Sequence, residues 1–193
     1  VISADGKMTG HNTDVTGFLA GFAAHGVALV GKRAVLIGAG GAARAALWGL
    51  LRSGVSSVCI GVRNLTKGEA LCTDFAADGT LAAYCFDDSR FRNELCAADI
   101  VVQTTPIGMS PQTDAMPPVD PAAIRPSAAV YDLIYTPAET AFLRAAAAHG
   151  CTAINGEIML VMQGAEAFFL WTGVRPNTDL MQRVLREELA RRG

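Results

Sequence analysis

The sequence predicts an α/β fold: a doubly wound parallel sheet flanked by helices on both faces. Three observations predict it. Short, nearly continuous apolar runs alternate with helical patterns from Lys32 to Asn155, which is how strands covered on both faces read. The first of these runs ends in glycines that open a helix directly, in "LIGAGGAARAAL". Hydrophobic residues are 51% of the 193 and charged residues 18%, enough for a sizeable core and too little charge for a disordered chain.

The elements follow in order. "VISADGKMTG" reads as strand, Asp-Gly turn, strand: a hairpin entered part-way through, without an initial Met. It predicts that these residues are a piece of a longer chain. "VTGFLAGFAAHG", from Val15, reads as a helix, for which Asp14 is a preferred N-cap and Asn12 or Thr13 can share that role. Strands are expected at 32–40, 56–62, 81–85, 98–106, 127–135 and 151–155. Helices are expected at 41–54, closed by a C-terminal Gly, at 66–76 and at 138–150. Residues 110–121, "SPQTDAMPPVDP", form a Pro-rich surface loop. Residues 157–173 are apolar on most faces, and 177–192 form an amphipathic helix starting from an Asn177 cap. No strand follows these two helices, so they are expected to pack away from the sheet, back onto the region around Asp14. The chain is thus divided into residues 1–22, 23–155 and 156–193.

Composition removes several function classes. Lys+Arg 16 against Asp+Glu 18 gives a net charge of −2, with no basic footprint for nucleic acid or an anionic membrane. No stretch approaches the ~18 apolar residues of a membrane span. Cys59, Cys72, Cys85, Cys96 and Cys151 form no CxxC pair and are odd in number, and His11, His25 and His149 are scattered. The expectation is free thiols in a reducing cytoplasm and no metal site.

The glycine stretch carries the first chemistry. Gly38-x-Gly40-x-x-Ala43 follows a strand and opens a helix. Gly38 permits the tight turn, Gly40 lets a pyrophosphate approach the backbone, and Ala43 lets helix and strand pack closely. Free N–H groups of the helix N-terminus, from Gly38, Ala39, Gly40, Gly41 and Ala42 onward, suit phosphates. This is a Rossmann-type dinucleotide site; the alternative is a glycine turn that packs tightly and binds nothing. An NAD site expects an acidic residue at the end of the second strand, ~20 residues on. Here that strand runs into "GVRNLTKGEA", with Arg63, Asn64 and Lys67 and no acid before Glu69. A guanidinium suits a 2′-phosphate, so NADP is favoured over NAD. The missing acid also counts against S-adenosylmethionine.

Four separated motifs then form one pattern: "NTD" with Gly17-Phe18, "GAGGAARA", "TTPIGM", and "YDLIYTPAETAFLRAA…NGEIMLVMQGAEAFFLWTG". Together they resemble the shikimate dehydrogenase family, with its quinate and aminoshikimate relatives, over nearly the whole chain. What they resemble is the later, larger part of such an enzyme. The resemblance implies NADPH-linked interconversion of 3-dehydroshikimate and shikimate, with the tail helices returning to a catalytic domain of which residues 1–22 are a remnant. It implies that Asp14 faces the reacting hydroxyl beside a lysine; the segment "Asn-Val-Thr-x-Pro-x-Lys" that carries it in the family is not found here. It further implies substrate contacts from Tyr135 and Gln163, and nicotinamide-side contacts from Thr105, Leu133, Gly156 and Met159. A homodimer is compatible with it. Without the resemblance Asp14 is a helix cap, Tyr135 an aromatic at a strand end, Gln163 an exposed polar residue and Met159 ordinary core. A nucleotide-binding or regulatory module without catalysis remains the other class.

Overall fold

The computed structural model describes residues 2–4 and 7–192, and the side chains of residues 8–191. Strands β1 (Ile2–Ala4) and β2 (Lys7–Thr9) pair antiparallel; the expected Asp5-Gly6 turn lies outside the described residues. Helix α1 (Thr13–Ala24) follows. The main sheet is built from β3 (Arg33–Ile37), β4 (Ser57–Val62), β5 (Leu81–Cys85), β6 (Ile100–Gln103), β7 (Ala129–Asp132) and β8 (Thr152–Ile154). Its order is β5-β4-β3-β6-β7-β8, with every neighbouring pair parallel. The chain winds outward from β3 through β5, crosses back, and winds outward the other way from β6. The point of reversal, between β3 and β6, is where an open α/β sheet leaves a crevice at its strand C-termini.

Alternation along the strands divides the core into two layers. Leu36, Ile60, Val102 and Tyr131 face α1 and α2 (Gly41–Arg52), meeting Phe18, Phe22, Leu47 and Leu50. Val35, Ile37, Val101 and Val130 face α4 (Ser89–Ala97) and α5 (Ala141–Ala148), meeting Phe91, Leu95, Phe142 and Leu143. Helix α3 (Leu65–Asp74) follows β4. No helix was expected where α4 lies. Only Phe91 and Leu95 are buried on it, an i,i+4 pair too narrow to stand out from polar neighbours; Asp88 caps it by accepting from the Arg90 N–H at 2.8 Å. Helix α5 starts later than expected, because Thr140 Oγ1 accepts from the Leu143 N–H at 3.1 Å and sets the first turn there. Residues 110–120 form no helix or strand, and a 3-10 turn at Pro121–Ala123 closes that loop.

Helix α1 lies across the first layer: Phe18 stacks on Tyr131 with centroids 5.4 Å apart, and Phe22 meets the same ring edge-on at 5.1 Å. Its outer side receives α6 (Glu157–Thr172). Gly17 is required at that crossing, since a Cβ there would collide with the Met159 carbonyl and press on the Gln163 backbone. Helix α7 (Thr178–Arg192) begins from Asn177, whose Oδ1 accepts from the Leu180 N–H at 2.9 Å. It is tied back by the Arg186–Glu157 ion pair at 2.9 Å. Helix α6 therefore packs on α1, and α7 on α6, without extending the sheet. Among the described residues no helix is long and apolar enough to cross a membrane, and no three His, Cys, Asp or Glu side chains cluster as for a metal.

Candidate cofactor cleft and substrate-facing residues

The strand C-termini converge on one edge. Gly38 follows β3 directly with φ +109°, and a Cβ there would lie 2.8 Å from both Thr104 Oγ1 and Thr105 Cγ2. Glycine is needed both for the backbone conformation and for this approach. Thr104 locks the two loops together: its N–H and its hydroxyl both donate to the Ile37 carbonyl, at 3.0 and 2.7 Å. Gly40 occupies the N-cap of α2 with no side-chain bond, and a Cβ built on it finds nothing within 4 Å. The first N–H groups of a twelve-residue helix thus open on free space, a suitable seat for a pyrophosphate.

Across the glycine turn, β4 delivers Arg63, Asn64 and Lys67, all exposed. Among the described residues neither Arg63 nor Lys67 has an ion-pair partner. Asn64 holds the N-cap position of α3 but makes no capping bond, so its amide remains available to a ligand. Gly38, Ala39, Gly40, Arg63, Asn64, Lys67 and Thr105 all line one cleft of about 420 Å³, walled by Phe86, Pro106, Ile107 and Pro118. No carboxylate is among its lining residues. Gly41 and Ala42 sit in the first turn of α2 but do not line it.

Leu133, Gly156 and Met159 form a separate group beyond the cleft. The Leu133 N–H donates to the Gln103 carbonyl at 3.0 Å, and the Gly156 N–H to the Ile134 carbonyl at 2.9 Å. Gly156 packs directly under the Leu133 carbonyl. Leu133 and Met159, both half-buried, rest on the same core layer.

Two buried polar residues at this edge were not singled out in the sequence. Gln103 and Asp132 end β6 and β7, are register partners, and are both fully buried. The signal was available: in a strand covered on both faces, the last polar residue is inside too. Asp132 accepts from Thr140 Oγ1 at 2.8 Å and from the Ile134 N–H at 3.1 Å. Burial nonetheless outweighs those two bonds and pushes its carboxyl up to about 6.

The substrate-facing candidates divide. Asn12 Oδ1 accepts from the Asp14 N–H at 3.1 Å, which makes Asn12 the cap of α1 and places Asp14 inside the first turn. The Asp14 side chain is exposed, and among the described residues nothing hydrogen-bonds or pairs with its carboxylate. Asp14 shares a helix face with Gly17 at i,i+3, and Gly17 sits on Gln163. Gln163 is half-buried, and its Nε2 donates to the Leu160 carbonyl at 3.1 Å. Asp14 and Gln163 are thereby brought to one helix crossing. Tyr135 stands elsewhere, 39% exposed, on a second cavity of about 410 Å³ shared with Ser110, Thr113 and Arg186.

Comparison with known proteins agrees with this architecture. The chain is 41% identical over 191 residues to the shikimate dehydrogenase (NADP(+)) of Moorella thermoacetica, covering 98% of this chain and 64% of that protein. It is 38% identical over 194 residues to the enzyme of the same name from Desulforamulus reducens, covering 99% of this chain and 67% of the relative. The chain belongs to the shikimate dehydrogenase family. Residues 158–186, most of α6 and the start of α7, match the family model described as the shikimate 5′-dehydrogenase C-terminal domain. The shikimate 5-dehydrogenase of Listeria monocytogenes, solved with shikimate and NAD, superposes with a TM-score of 0.89 at 29% identity, covering 95% of this chain and 66% of that one. The chain thus spans 64% of the length of the Moorella shikimate dehydrogenase.

Proposed function

We propose that this chain forms the NADP-binding part of a shikimate dehydrogenase, an oxidoreductase that interconverts 3-dehydroshikimate and shikimate. The observation that carries the cofactor assignment is the pair of cations Arg63 and Lys67, without ion-pair partners among the described residues, beside the Asn64 amide in a cleft without a carboxylate. An acid there would take a ribose 2′-hydroxyl, whereas a guanidinium and an ammonium take a 2′-phosphate. The residues present fit such a cofactor: open space before α2 for the pyrophosphate, basic side chains on the adenine side, and Thr105, Leu133, Gly156 and Met159 on the nicotinamide side. When bound, the nicotinamide supplies or accepts the hydride.

The remaining chemistry concerns a proton. Reducing a ketone builds negative charge on its oxygen, so a donor must stand beside it. Asp14, released from capping by Asn12, orients that donor and holds its charge. The family resemblance gives the donor as the lysine of a segment not found in these residues; of the three lysines present, Lys7 lies on β2, Lys32 is paired with Asp99 at the opposite edge of the sheet, and Lys67 lines the cofactor cleft. Gln163, at the Asp14 crossing, is assigned to the substrate hydroxyls; Tyr135 keeps that assignment from the family resemblance alone, since it faces a separate cavity. A cytoplasmic location goes with this activity.

The test is equilibrium binding of NADP⁺ to the 193-residue chain together with its steady-state oxidation of shikimate and of quinate. The chain is expected to bind NADP⁺ and to turn over far more slowly than the Moorella enzyme. Equal turnover would contradict the missing-lysine assignment; no binding would contradict the function as a whole.

A further inference from the structure

Gln103 is the last residue of β6 and has no exposed surface, a costly place for a primary amide unless every polar atom is bonded. Here every one is. Oε1 accepts from the Thr105 N–H at 2.7 Å and from the Thr105 hydroxyl at 2.8 Å. Nε2 donates to the carbonyls of Thr105 and Ile107, both at 3.0 Å. Two donors and two acceptor positions are the whole capacity of the group, and all of it goes to the segment that follows. That segment has left the sheet and contains Pro106, which has no N–H, so its backbone cannot satisfy itself by a ladder. Thr105 Oγ1 closes the turn by accepting from the Ile107 N–H at 3.3 Å.

The other side of this turn faces ligand space. Thr105, Pro106 and Ile107 line the 420 Å³ cleft, while Gln103 does not. Strand order β4-β3-β6 puts Arg63 on one side of the glycine turn and Thr105 on the other. The segment gripped by Gln103 therefore walls the end of the cleft away from the basic group. It is also keyed to the glycine turn, because Gly38 packs against the side chains of Thr104 and Thr105.

We propose that Gln103 is a positioning residue for the nicotinamide half of the cofactor. It touches no ligand. It holds the Thr105–Ile107 wall in its binding shape before the cofactor arrives, so the ordering is not charged to binding. The assignment rests on the cofactor cleft proposed above.

The experiment compares two ligands by calorimetry on the 193-residue chain: NADP⁺, and adenosine 2′,5′-bisphosphate, which carries the adenine half and its 2′-phosphate only. Gln103→Met keeps length and flexibility and removes all four bonds. It is expected to weaken NADP⁺ by about tenfold or more and to leave the bisphosphate within about twofold. Equal weakening of both ligands, or of neither, would overturn the proposal. Amide exchange on the ligand-free wild type tests it without a variant. The Thr105 N–H should be protected to a degree comparable with the β6 ladder amides, and exchange at an unprotected rate would overturn the proposal. Failure of the wild type to bind either ligand would be a failure of the cofactor assignment itself, visible before any substitution is made.

Discussion

Asn12 and Asp14 stand two positions apart and are both good capping residues; only the folded chain shows which of them caps. Asn12 accepts the first-turn N–H, and the Asp14 carboxylate has no bond among the described residues. Asn12→Ala should therefore cost about 1 kcal/mol in denaturant unfolding, while Asp14→Asn changes stability little. A loss in Asp14→Asn as large as in Asn12→Ala would return Asp14 to a structural role. The proposed cofactor choice turns on Arg63. Arg63→Ala should weaken NADP⁺ by about 1.5–3 kcal/mol, the worth of a hydrogen bond to a charged group, and leave NAD⁺ nearly unchanged in parallel titrations. Tyr131 gives the opposite kind of prediction. Its hydroxyl is buried beside Gly21 with no hydrogen-bond partner among the described residues, and burial pushes its phenol pKa up. Removing an unsatisfied buried hydroxyl relieves a desolvation cost while the ring contacts to Phe18 and Phe22 remain. Tyr131→Phe should melt at or above the wild-type temperature; a loss beyond about 1 kcal/mol would mean that the hydroxyl is bonded after all.

At the scale of elements, long apolar strands and the capped tail helix were legible, because their patterns are local. Asn177 caps α7 as its position implies. Helix α4 was not legible: its polar surface hides a two-residue stripe that matters only once β3 and β4 lie beneath it. The start of α5 was set by Thr140, which also donates to Asp132 across eight residues, a contact no local pattern contains. Asp132 makes this element sensitive to pH. Its folded carboxyl lies at about 6 against an ordinary 3.8, so the native state holds a proton more firmly than the unfolded chain. Stability from this group is then full below pH ~4 and falls as pH rises to ~6, by roughly 3 kcal/mol. Asp88, held low by hydrogen bonds from Arg90, gives a slope of the other sign. So does Asp99, where burial is outweighed by the Arg33 amide and Arg125. The difference between wild type and Asp132→Asn isolates the contribution of this carboxyl. Asp132→Asn should lose that slope and be at least as stable at pH 7 in denaturant titrations. Parallel pH profiles for the two proteins would show that Asp132 ionises freely in the native state.

For the molecule as a whole, the doubly wound class and the dinucleotide crevice followed from one glycine turn in its strand–helix setting, and the sheet order places that turn at the reversal point. The seat of the tail was legible only in that residues 157–192 read as helix and add no strand to the sheet. Its actual contact depends on Gly17 lying flat against α6. The buried pair Gln103 and Asp132 escaped notice because burial at a strand end is decided by neighbouring strands and by loops from elsewhere in the chain. What results is a cleft at the reversal point of the sheet and, at the crossing of α1 and α6, the side chains of Asp14 and Gln163. The central claim is that this cleft is built for a 2′-phosphorylated dinucleotide. The most direct test is calorimetric titration of the 193-residue chain with NADP⁺ and with NAD⁺ under identical low-salt conditions. NADP⁺ should bind tighter by at least about tenfold, one charge-assisted contact's worth. Equal affinities, or tighter binding of NAD⁺, would contradict it.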